Sequence, residues 1–115
     1  MPEITVEYSA SLGDAFDRRG FALALHPVVV ETVDAKMPAC QTRFTVAEEF
    51  VAGDGSADDA VLHVGIGLLA GRSAEAKARL SEAVLGLAEQ HLKPAGRPVH
   101  ISAEVRDLDA SYRKR

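Results

Sequence analysis

The first clear pattern in the chain is an alternation of period two. Ile4, Val6 and Tyr8 interleave with Glu3, Thr5 and Glu7, which predicts a strand over about residues 3–8 with one buried face. A small polar loop, Ser9 to Gly13, follows. Asp14 is then the candidate cap of a helix running through Phe16, Leu23 and Leu25 toward Val33. Pro27 falls inside that run and predicts a kink, or two segments meeting near His26. Met37-Pro38 ends the helical region, and Gln41 to Val51, with Phe44, Val46 and Phe50, reads as a second extended segment. Gly53-Asp54-Gly55-Ser56 is a turn.

Ala60 to Leu69 predicts a third strand, with Val61, His63 and Gly65 on one face and Leu62, Val64 and Ile66 on the other. Gly65 and Gly67 mark a bulge or a close approach of backbone. Ser73 caps a second helix, in which Leu80, Val84, Leu87 and Leu92 recur at helical spacing until Pro94, Gly96 and Pro98 stop it. Val99, Ile101, Ala103 and Val105 give a fourth strand. The order strand, helix, strand occurs twice, so residues 1–115 are expected to form one domain with pseudo-repeats at about 2–51 and 60–106. The fold class is α/β (α+β), a duplicated βαβ sandwich with a four-stranded sheet and two helices on one face. Such a sheet is expected to leave apolar surface on its bare face, which association into a symmetric homo-oligomer would cover.

Composition narrows the function. At 47% hydrophobic and 26% charged residues the chain falls among ordinary globular domains and away from disorder. A formal charge of -4 argues against a nucleic-acid partner, which needs clustered Lys and Arg. The one dense basic stretch, Tyr112-Arg113-Lys114-Arg115, reads as a solvated tail. Cys40 is the single cysteine, which excludes an internal disulfide. No apolar run reaches the roughly 18 residues that span a bilayer, and no signal peptide is evident, so the expectation is a cytoplasmic protein with no membrane partner.

The chemistry-bearing candidates are few. Removal of Met1 would leave Pro2 with a secondary amine at the start of a core strand. An α-amino group titrates near pH 7.7–8.0, and burial lowers the pKa of a cationic amine, so a neutral prolyl nitrogen could exchange protons near neutrality. Taken alone, a proline in second position needs no such explanation. Arg43 opens the second strand and Arg72 precedes Ser73; a guanidinium there could hold a carboxylate or a developing enolate oxygen, and the helix N-terminus would reinforce Arg72. Either arginine alone also reads as a solvated surface residue. His26, His63, His91 and His100 lack metal-ligand spacing, so no metal is expected. Gly65-Ile66-Gly67 lacks the spacing of a nucleotide-binding loop.

Together, the opening MPEITVEYS, the duplicated βαβ layout, Arg43 and the stretch HVGIGLLAGRS resemble the 5-carboxymethyl-2-hydroxymuconate isomerase family of the tautomerase superfamily. The resemblance implies a homotrimer with inward-facing sheets, no cofactor, and a small-molecule carboxylic acid substrate met in the breakdown of aromatic compounds. It implies that Pro2 is the general base, shuttling a proton between a dienol and its conjugated ketone. Arg43 and Arg72 would hold substrate carboxylates or the oxyanion, and Phe50 would keep the pocket apolar. Members carry an arginine two residues before the position of Arg43, where this chain has Gln41, which donates hydrogen bonds but brings no charge. Two other readings stand beside this one: a different N-terminal-proline reaction, dehalogenase-like or decarboxylase-like, and an oligomeric ligand-binding module without catalysis.

Overall fold

The computed structural model describes residues 2–115. Four strands, β1 (Glu3–Ser9), β2 (Gln41–Ala47), β3 (Ala60–Leu68) and β4 (Val99–Asp107), form one mixed sheet in the order β2-β1-β3-β4. β1 runs parallel to β2 and antiparallel to β3, and β3 runs parallel to β4. The parallel pairs need crossovers, which helices α1 (Arg18–Val33) and α2 (Ala74–Gln90) supply. Both helices pack on the same sheet face, so the fold is α+β as the alternation predicts.

One stripe on each helix does the packing. α1 buries Phe21, Leu25, Val29 and Val33, and α2 buries Ala76, Leu80, Val84 and Ala88, each a strict four-residue spacing. They close over Ile4, Val6 and Tyr8 of β1 and Leu62, Val64 and Ile66 of β3. Ser73 caps α2 as expected, its hydroxyl accepting from the Ala76 amide at 3.1 Å.

Three expectations are corrected. The cap of α1 is Asp17, whose carboxylate accepts from the Gly20 amide at 3.1 Å, and not Asp14. Residues Ala10–Ala15 form 3-10 turns interrupted at Gly13 (φ 50°), and Phe16 is extended because it bridges to Leu92; the α-helix starts only beyond it. Secondly, Pro27 does not divide α1, which is one helix of 16 residues. Pro27 and Leu23, whose carbonyl loses its partner, both lie on the exposed side, where water takes up the unpaired carbonyl.

Thirdly, the bare sheet face is polar. Alternation sends most apolar residues of the four strands to the helices; beside Val61 and Ala47, the residues left outward are Glu3, Thr5 and Glu7, Gln41 and Arg43, His63, and His100, Ser102, Glu104 and Arg106. The centre of this face is Gly65 and Gly67. A β-carbon at Gly67 would lie 2.5 Å from the Leu108 side chain, which folds back over it once the Leu108 amide has bonded the Leu68 carbonyl at 2.6 Å. Glycine there lets the chain after β4 turn across the sheet.

Candidate functional site

Pro2 is fully buried at the start of β1, and its carbonyl accepts from the Gln41 amide at 3.4 Å. With Met1 attached, its nitrogen is a tertiary amide that neither gains nor loses a proton; only cleavage of Met1 turns it into an amine. That cleavage concerns a residue outside those described. The register places the end of β3 beside the start of β1, since Gly67 faces Glu3, and Arg72 ties the loop into α2 to the end of α1. Cys40 is beside Pro2, and burial pushes its thiol pKa up, so it stays a protonated apolar group.

Three of the expected site residues gather at this end. Gln41 starts β2 opposite Glu3 and is exposed. Arg43 extends along the open face, where its Nη1 donates to Glu3 Oε1 at 2.9 Å and its Nη2 to Thr5 Oγ1 at 3.4 Å. Glu3 is held on its other oxygen by the Tyr112 hydroxyl, which donates to Oε2 at 2.5 Å. Tyr112 and Arg43 keep the Glu3 carboxyl below the usual carboxylate range. The segment that reads as a solvated tail is thus pinned across the sheet by Leu108 and Tyr112.

Arg72 reaches the same end by another route. Its Nε donates to the Val33 carbonyl at 2.8 Å and its Nη1 to the Leu69 carbonyl at 3.1 Å, tying the last turn of α1 to the loop before α2. One of the orphan carbonyls of the helix end is satisfied in this way. Arg72→Ala should cost about 1–2 kcal/mol, because one of the two bonds is part-buried and the freed carbonyls are only partly rehydrated. Urea unfolding of the variant and the wild type measures this.

Phe50 lies elsewhere. It follows the end of β2, where Ala47 pairs with Ser9, and its ring stands 5.8 Å from that of His100. The full length of β1, roughly 20 Å at 3.3 Å per residue, separates that end from Pro2. Within one chain Phe50 and Pro2 do not share a pocket.

A groove of about 950 Å³ runs along the outer side of β2 beneath the first half of α1, and nothing in the sequence pattern announces it. Its floor is the aromatic group Tyr8, Phe16 and Phe44, with ring centroids 5.7–6.5 Å apart. His26 Nε2 lies 2.8 Å from Thr42 Oγ1 on its wall, and burial lowers the His26 pKa, favouring the neutral ring. Arg18 Nη1 donates to the Tyr8 hydroxyl. Pro2 does not line this groove.

A mixed four-stranded sheet with two helices on one face, its first strand opening on a buried proline, defines the tautomerase fold, and solved structures agree. A 5-carboxymethyl-2-hydroxymuconate isomerase from Deinococcus radiodurans R1 superposes with a TM-score of 0.85 at 24% identity, covering 98% of this chain and 88% of that one. A second structure, a 5-carboxymethyl-2-hydroxymuconate delta-isomerase, gives 0.84 at 18% identity over 100% and 87%. A fused 4-OT symmetric trimer gives 0.70 at 23% identity over 92% and 85%. A search of curated proteins by sequence finds no match. The profile of the 5-carboxymethyl-2-hydroxymuconate isomerase family matches residues 2–115, and the chain belongs to that family, whose members are isomerases. Among the described residues no helix is long and apolar enough to cross a membrane.

Proposed function

We propose that the protein is a cofactor-independent tautomerase acting on a small unsaturated 2-hydroxy or 2-oxo acid, with the Pro2 nitrogen as general base. The observation that carries the proposal is the complete burial of Pro2 at the strand start, in a chain of this isomerase family. Once Met1 is gone, apolar surroundings at the strand start would bias the freed amine toward its neutral form. Its lone pair accepts the enol hydroxyl proton, the O–H electrons become the carbonyl π bond, and the carbon terminus of the displaced C=C pair takes a proton back from the prolinium. Base and acid are one atom, so no other reactant is needed.

Arg72 is the proposed contact for the substrate carboxylate, with Arg43 and Gln41 the proposed polar contacts for the oxyanion or a further polar group, all at the Pro2 end. Phe50 enters only as a residue of a second copy, because in its own chain it is at the far end of β1. That fits a homotrimer, the assembly of the fused 4-OT structure. The proposed setting is aromatic-compound breakdown, with the 5-carboxymethyl-2-hydroxymuconate of the family's name as one substrate to try.

The test combines intact mass with turnover. The purified protein should lack Met1 and should convert a simple 2-hydroxydienoate or phenylenolpyruvate to its ketone, followed by ultraviolet absorbance. Retention of Met1 in active protein would end the proposal. Turnover of a haloacrylate with none of an enol acid would point to the dehalogenase-like reaction instead.

A further inference from the structure

We propose that Glu3 sets the charge selectivity of the Pro2 end, occupying Arg43 so that the site takes acids with one carboxylate and disfavours those with a second. The inference rests on the reading of this end as the substrate site and specifies the class of acid admitted there.

Both terminal nitrogens of Arg43 are already committed, Nη1 to the Glu3 carboxylate and Nη2 to the Thr5 hydroxyl. A guanidinium grips an incoming carboxylate best through two parallel N–H bonds; with one N–H of Nη1 given to Glu3 and one of Nη2 to Thr5, Arg43 offers a newcomer only a fork that Glu3 already shares. Glu3 is the anchored member of the pair: its side chain is 16% exposed against 60% for Arg43, and Tyr112 fastens its second oxygen. An entering carboxylate would therefore have to displace a neighbour that cannot swing away, and would meet that neighbour's negative charge.

At the start of β1 and β2, Glu3 and Arg43 cancel and Gln41 adds no charge; Lys114 on the tail is a further cation, and it too acts on Glu3. Arg72, by contrast, bonds only to carbonyls and has no carboxylate partner among the described residues. Its charge remains available to one anionic group.

Glu3→Gln removes the charge with little change of shape, and Tyr112→Phe removes the fastening alone. Butyrate and glutarate, unreactive acids with one and two carboxylates, are titrated into each protein while the Arg43 Nε–H signal is followed by NMR. In Glu3→Gln the affinity for glutarate relative to butyrate should rise roughly two- to fivefold, the scale of one exposed charge contact. Tyr112→Phe should shift the ratio in the same direction by a smaller factor. An unchanged ratio in Glu3→Gln overturns the proposal. Absence of turnover of any enol acid by the wild type would refute the catalytic reading of this end, while the binding ratio still decides the role of Glu3.

Discussion

Replacing Pro2 with alanine should leave a folded protein whose turnover of an enol acid falls by roughly 10²–10⁴-fold, the range contributed by a positioned general base. The substitution trades a rigid secondary amine for a freely rotating primary one and shortens the side chain in a site with no solvent exposure. Rotation withdraws the nitrogen from its fixed position, and the space left admits water, which favours the protonated amine. Matching circular dichroism spectra would assign the loss to chemistry and not to folding. A variant within a few-fold of wild-type activity would show that the proton is handled elsewhere. Protein in which Met1 is blocked from removal should be as inactive as the variant, because an amide nitrogen has no basic lone pair.

The largest effect on stability should come from Phe21. Its ring is fully buried, 5.7 Å from Phe16 and 6.0 Å from His91, at the point where the first turn of α1 meets the residues after α2. Phe21→Ala removes a complete aromatic side chain and leaves a cavity that the extended Phe16, fixed by its bridge to Leu92, cannot fill. The cost should be about 3–5 kcal/mol, a large share of the 5–15 kcal/mol that holds a domain folded. Thermal unfolding should move down by roughly 12–20 °C. A fall of only a few degrees would mean that the two helix ends collapse into the gap.

The strands and α2 were legible because their determinants are local. Period-two alternation marks β1, β3 and β4, and Ser73 marks the start of α2 within three residues of its bonding partner. The start of α1 depends on something non-local: Phe16 is drawn out of the helix by Leu92, 76 positions away, and no window of sequence contains both. The polar face was misjudged for a different reason. The alternation is local, but its outward half is mostly glutamate, threonine, glutamine, arginine, histidine, serine and glycine, with Val61 and Ala47 the apolar exceptions. Of the site, the placement of Gln41 and Arg43 follows once β1 and β2 are parallel and in register. The contact of Tyr112 with Glu3 does not, since a terminal basic cluster carries no signal of where it docks. The position of Arg72 just before Ser73 is local, but its bonds to two backbone carbonyls depend on the α1 terminus, far away in sequence.

The bond between Tyr112 and Glu3 joins positions 109 apart in a chain of 115. During synthesis β1 emerges first, yet its central neighbour β3 begins at residue 60, and the fastening of Glu3 must wait until Tyr112 has left the ribosome. Until then Glu3 can turn, and Arg43 has a partner that is not held in place. The proposed selectivity of the Pro2 end therefore waits on a segment far along the chain, and any change that pulls Tyr112 off the sheet frees Glu3 again.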